Sequence, residues 1–238
     1  MKCEALINKD KALYADMLDA LEGGRAHVVF DSETAVLARY NAFPMYMLGA
    51  EDEAAGERLL NGISEPEYTV ILRGEALIAY AKAKGMWVSN PCFQVFYEGA
   101  PLDESGQMEI RRPSPEDFDA VAATYSLTTR EELRKDFERE DFFCGYLGGK
   151  LAAYAGVHSE GSLGMLYVFE EYRGMGLSKQ MSRFMVNNQL RKGRLPYAQV
   201  FCDNTASLGL QRRNGMTFSS GVIAWARTSP RKRDDSEE

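Results

Sequence analysis

The sequence predicts a mixed α/β protein in two halves, and three observations carry that reading. Apolar stretches of strand length alternate with amphipathic stretches of helical period along the chain. A polar segment over 97–106, with turn residues and no apolar period, separates the halves as a linker. A glycine turn, Tyr172-Arg-Gly-Met-Gly-Leu-Ser178, joins a strand-like run over 163–169 to a helical pattern reaching about Leu190.

In the first half, Leu6, Ala12, Leu13, Met17, Leu18 and Leu21 lie on one helical face, which Gly23-Gly24 ends. Strands follow over 26–30, 44–48, 68–72 and 91–97, with helices over 51–60 and 75–84 between them. No phosphate-binding loop occurs in this half. In the second half, a strand over 108–112 precedes a helix start with Ser114 as N-cap and Pro115 in the first position. A charged helix over 129–139 comes next, then a hairpin of 141–147 and 151–158 around Gly148-Gly149. After the helix that follows the glycine turn come a strand over 197–202, a short helix from Asn204 and a strand over 216–227. The tail from Ser229 is charged and without apolar residues, the composition of a disordered segment. No internal repeat is visible.

Composition narrows the function classes. A chain of 238 residues, 45% hydrophobic and 26% charged, has the makeup of a soluble globular protein that buries a proper core. It contains no apolar run of membrane-spanning length, and its first residues lack the apolar segment of a signal peptide. Cys3, Cys92, Cys144 and Cys202 are scattered without paired spacing, which argues against a zinc site or disulfide framework and fits reduced thiols in a cytoplasm. With only His27 and His158, a histidine-rich metal site is not expected. A net charge of −7 disfavours nucleic acid as a partner.

The glycine turn carries the chemistry. Between a strand and a helix, it presents consecutive N–H groups at the positive end of a helix dipole, where a phosphate or pyrophosphate can bind. Glycine permits close approach because no side chain intervenes. Further on, Asn204-Thr-Ala-Ser207 is followed by Asn214-Gly215-Met216-Thr-Phe218.

Over residues 108–227, this order of elements and these two motifs resemble the Gcn5-related N-acetyltransferase (GNAT) superfamily. Arg173–Ser178 is similar to its Arg/Gln-x-x-Gly-x-Gly/Ala loop, with Ser178 in the last position. Asn204 to Ser207 looks like its Asn-x-x-Ser helix. Glu171-Tyr-Arg173, Gly176-Leu177, Leu195-Pro-Tyr197 with Val200, and Asp203-Asn204 are similar to glycine N-acyltransferases. The resemblance implies a mostly antiparallel sheet flanked by helices, and acetyl-CoA or another acyl-CoA as cosubstrate. It implies that the backbone of Leu166, Tyr167 and Val168 pairs with the pantetheine arm like an added strand. Amides of Arg173, Gly174, Met175, Gly176, Leu177 and Ser178 then take the pyrophosphate, and Asn204 and Ser207 hold the arm. The amide of Tyr167 or Val168 polarises the thioester carbonyl. An amine attacks directly, so no covalent nucleophile is needed.

The acid and base are less apparent. Where many relatives place a tyrosine acid, the matching position is Gln211; where glycine N-acyltransferases place a glutamate base, it is Ser162. Glu160, two residues earlier, shares the face of Ser162 if the strand reaches that far, and could take a proton through water. A solvated turn position is its plainer role. His158 suits base work by its pKa, but is equally a strand-end surface residue. Met45, Met47, Met175, Met181 and Met185 read as core filling, Tyr172, Trp87 and Trp225 as packing residues, although Trp225 could line an acceptor groove. Arg111-Arg112 and Arg231-Lys-Arg233 read as solvated. The expected function is N-acylation of a small-molecule amine, such as an amino acid, by a cytoplasmic, metal-free monomer or homodimer. The rival is a noncatalytic acyl-CoA sensor. The first half (1–105) is then either a degenerate acyltransferase-like layer or a lid over the acceptor pocket, and 106–228 is the acyltransferase domain.

Overall fold

The computed structural model describes residues 1–229; most of the charged tail, with Arg231 to Arg233, lies outside them. In chain order the elements are α1 (Glu4–Lys9), α2 (Ala15–Glu22), β1 (Ala26–Asp31), β2 (Ala35–Tyr40), β3 (Met45–Ala50), α3 (Glu53–Asn61), β4 (Thr69–Arg73) and α4 (Glu75–Ala83). Next come β5 (Trp87–Val88), β6 (Cys92–Phe96), β7 (Glu109–Arg111), α5 (Phe118–Ala122), α6 (Arg130–Glu138), β8 (Phe143–Leu147), β9 (Lys150–Val157) and β10 (Leu163–Val168). The last are α7 (Leu177–Arg191), β11 (Tyr197–Phe201), α8 (Thr205–Arg213) and β12 (Thr217–Arg227). Pairing is mostly antiparallel, with helices against the strands.

The chain forms two compact units. One comprises Met1–Phe96 with the segment from Gln199 through the last described residues, the other Tyr97–Ala198. These units cut across a division at residue 105, because β12 pairs with both β4 and β6. Pairing between distant segments leaves no trace in local composition.

The first unit orders its strands β1-β2-β3-β4-β12-β6. Successive side chains of its inner strands alternate between two cores, as the two-residue strand period requires. Val36, Ala38, Met45, Met47 and Ile71 pack with Tyr14 and Met17, while Leu37, Tyr46, Leu48, Val70 and Leu72 pack with Leu60 and Leu77. Thus Met45 and Met47 fill core. The expected long first helix is instead α1, a 3₁₀ turn and α2, since Asp10 leaves helical geometry (φ −148°) and its carboxylate accepts the Leu13 N–H at 3.1 Å. Strand β2, absent from the sequence reading, is buried on both faces and so lacks the alternation that marks a half-exposed strand. A buried ion pair, Asp16 with Arg73, is bridged to β6 by Gln94, whose Nε2 donates to Asp16 Oδ1 at 3.0 Å.

In the second unit β7, β8, β9 and β10 pair in sequence, and β10 meets the start of β11 in parallel. Met165, Tyr154 and Cys144 pack under α5 and α6, whereas Ala153, Ala155 and Val157 pack under α7 through Leu177, Met181 and Met185. Arg112 is not simply solvated: it donates to the carbonyls of Glu138, Arg139 and Phe142, closing the C-terminal end of α6.

The chain runs one course twice. Three antiparallel strands (β1–β3, then β8–β10) lead to a helix, to a strand parallel to the third, and to a further helix. The copies differ where it matters. β3 and β4 stay paired over four residues, Met45–Leu48 against Thr69–Leu72, whereas β10 meets β11 only through Leu163 and Ala198.

Candidate functional site

The residues expected to form the site begin on β10, the third strand of the second course. Its register on β9 slips between Gly164 and Tyr167, and Met165 there adopts φ 56°, the one non-glycine positive φ among the described residues. The bulge flips the face sequence: Met165 and Tyr167 point to the α5/α6 core, Leu166 and Val168 to the α7 side. No sequence signal marks Met165 for this conformation.

Beyond the bulge, Phe169 N–H donates to Ala152 C=O at 3.0 Å, which sets the alternation of amides along the antiparallel pair. Tyr167, paired with Tyr154, turns its N–H toward β9, while Leu166 and Val168 turn theirs outward. Of the two amides expected to polarise a carbonyl, only that of Val168 is therefore aimed away from the sheet partner. The Tyr167 ring stacks on Tyr154 at 5.5 Å, and the Arg173 guanidinium lies over it at 5.5 Å.

The glycine turn follows a 3₁₀ turn at Glu170–Tyr172. The N–H of Arg173 donates to Glu170 C=O at 3.2 Å, so it does not join the expected cradle. Its side chain is likewise engaged, with Nε on Val168 C=O at 3.2 Å and an ion pair to Glu170 at 3.0 Å. The next five amides, Gly174 to Ser178, have no intramolecular acceptor among the described residues. Gly174 and Gly176 both have φ 79°, a conformation that L side chains rarely adopt, and Gly176 caps α7 in the left-handed region. Leu177 and Met181 are 3% and 0% exposed and anchor the first turn of this 15-residue helix from below. Met175, by contrast, is exposed rather than core filling.

Asn204 and Ser207 belong to the other unit. There Asn204 caps α8, its Oδ1 accepting the Ser207 N–H at 3.0 Å. Gln211 is 9% exposed on the same helix. Trp225 donates Nε1–H to Gln199 Oε1 at 2.6 Å, and Gln199 Nε2 donates to Gln94.

Glu160 departs from its expected setting. It is 6% exposed rather than solvated, and β10 begins at Leu163, so the shared-face argument with Ser162 does not apply. The two meet directly instead: Ser162 Oγ donates to Glu160 Oε1 at 2.5 Å, and Tyr197 donates to the Glu160 carbonyl at 3.0 Å. His158 closes the preceding turn, its N–H donating to Ser162 C=O at 2.9 Å. The cysteines are poor nucleophiles, since burial pushes the Cys3 thiol up to about 11 and those of Cys92 and Cys144 to about 12. Among the described residues, no cluster of His, Cys, Asp or Glu could hold a metal ion, and no helix is long and apolar enough to cross a membrane.

Residues 107–216 match the family model of the acetyltransferase (GNAT) family. Among solved structures, a Drosophila protein superposes with a TM-score of 0.60 at 16% identity, covering 93% of this chain and 89% of its own. A GCN5-related N-acetyltransferase from Kribbella flavida gives 0.56 at 12% identity, over 91% and 96% of the two chains. An acetyltransferase from the GNAT family of Colwellia psychrerythraea gives 0.52 at 15%, over 86% and 85%. No curated protein matches the sequence. The family match lies within residues 107–216, a little under half of the chain, and the solved structures share the chain's fold.

Proposed function

We propose that the chain is an acyl-CoA-dependent N-acyltransferase that moves a short acyl group, acetyl foremost, to the amine of a small molecule. One observation carries the reading: five consecutive amides with no acceptor among the described residues, Gly174 to Ser178, open helix α7 after a strand that has left its parallel partner. Such a row of N–H groups at a helix N-terminus fits a pyrophosphate. The outward backbone of Leu166 and Val168 fits the amides of a pantetheine arm. The Val168 N–H would stabilise negative charge building on the thioester oxygen.

Direct attack by an amine draws most of its acceleration from proximity and orientation. Glu160 is proposed to collect the proton. At about 3.3 Å per strand residue it stands well over ~10 Å from the Val168 amide along the chain, so ordered water must relay the proton. An amino-acid acceptor, as in glycine N-acyltransferases, is the favoured member of the substrate class. The first unit is proposed as a degenerate acyltransferase-like layer: it repeats the order of elements, yet its strands stay paired, and Asp52 fills the N-cap of α3 with a carboxylate.

Buried Gln211 and Ser162, at the positions of an acid and a base in relatives, favour a second reading as a noncatalytic acyl-CoA sensor. Calorimetry with acetyl-CoA and thiol release over a panel of amines separates the two. Binding with turnover supports the transferase, binding without turnover on any amine supports the sensor, and absence of binding ends both.

A further inference from the structure

The segment expected to be a free linker is instead fastened along α7. Gln180, Arg183, Asn187 and Arg191 fall on one face of that helix by their spacing, and all four hold the strand of chain over 102–108. Asn187 grips Leu102 in both directions, Oδ1 accepting its N–H at 2.8 Å and Nδ2 donating to its C=O at 2.7 Å. Two turns nearer the helix start, Gln180 repeats this on Met108, accepting at 3.1 Å and donating at 3.0 Å. Between them on the helix Arg183 donates to Asp103 C=O at 2.9 Å, and one turn beyond Asn187 Arg191 pairs with Glu104 at 3.4 Å. A primary amide carries an acceptor and a donor side by side, and so can engage the N–H and the C=O of one residue together. Gln180 and Asn187 are 8% and 3% exposed, so these bonds form out of water, where a missing partner is costly. The fit is close: a Cβ on Gly106 would stand 2.2 Å from Gln180 Oε1.

Gln180 is the fourth residue of α7, and its own N–H reaches Gly176 C=O at 3.4 Å. The amides of Gly174 to Ser178, in a turn with two glycines, have no intramolecular acceptor among the described residues to stiffen them. We propose that Gln180, held by the 102–108 strap, is a positioning residue that pre-aims these amides at the coenzyme pyrophosphate. The inference rests on the acyl-CoA reading. Preorganisation of this kind shows in affinity for the group concerned and leaves other contacts alone.

The test compares wild type, Gln180→Met and Gly106→Ala, the second displacing the Gln180 carboxamide from the strap by steric contact while keeping the residue itself. Dissociation constants are measured for CoA and for pantetheine, which lacks the pyrophosphate, alongside thermal melts. The expected result is roughly tenfold weaker CoA binding in each folded variant with pantetheine affinity unchanged. CoA affinity within twofold of wild type overturns the positioning role, and so does equal weakening of both ligands. Failure of the wild type itself to bind CoA removes the acyl-CoA reading, an outcome seen before any variant is made.

Discussion

Replacing Gly176 with alanine separates the ligand role of the turn from its role in folding. At φ 79° and ψ 5°, Gly176 occupies the left-handed region, and a Cβ there would meet no atom within 4 Å. The substitution therefore acts through the backbone alone, at about 1–2 kcal/mol. For a chain of this size that lowers Tm by roughly 2–8 °C. Relief of the strain turns the peptide planes on either side and re-aims the Gly176 and Leu177 amides. Losing one or two hydrogen bonds to a charged phosphate, at about 1.5–3 kcal/mol each, raises the CoA dissociation constant at least tenfold. The hairpin supplies a matched control. Gly149 has the same φ of 79° and the same open surroundings, so Gly149→Ala places a side chain at an equally positive φ far along the chain from the turn. Calorimetry with CoA and thermal melts of both variants decide the matter. Equal loss of Tm with loss of affinity confined to Gly176→Ala is expected; equal affinities in the two variants would refute the reasoning.

Other outcomes follow from particular contacts. Glu160→Gln should lower kcat by about 10²-fold or more and shift its pH profile if the carboxylate collects the proton; an unchanged kcat–pH profile eliminates Glu160 as base. Arg73→Met strands the Asp16 carboxylate, buried with Oδ2 already lacking a partner, and should destabilise by about 3–5 kcal/mol in urea titration. A loss under about 1 kcal/mol would show that the pair is not desolvated as drawn. Burial raises the Asp136 carboxyl above its ordinary 3.8, against the opposing pull of Arg139 and His158. The folded state then binds the proton more tightly than the unfolded state, so this group favours folding below pH 3.8 and loses that contribution as pH rises through its folded value. The stability of wild type relative to Asp136→Asn should accordingly be greater at acid pH than at pH 7; the opposite order contradicts the placement.

What sequence made legible were the features whose chemistry is local. The turn at Gly174 and Gly176 was legible because glycines between a strand and a helix permit the positive φ found at both, and Thr129, expected to open its helix, accepts the Glu132 N–H as its cap. The missing parts depend on partners far along the chain. Strand β2 is hidden because both its faces are covered. The bulge at Met165 has no compositional mark, since a methionine at φ 56° is held there by its surroundings and not by its own preference. Gln180 and Asn187 read as ordinary polar positions on a helix, and only the strap beside them explains their burial. Glu160 likewise looked solvated until Ser162 and Tyr197 were folded against it.

The central claim is that the second unit receives acyl-CoA on the backbone of β10 and the first turn of α7. Amide chemical-shift mapping of the ¹⁵N-labelled protein during CoA titration tests it most directly. The account predicts the largest shifts at Gly174, Met175, Gly176, Leu177 and Ser178, with Leu166 and Val168 next and the Tyr167 amide, turned toward β9, less affected. Largest shifts at the start of α3 in the first unit, or none at the glycine turn, would contradict it.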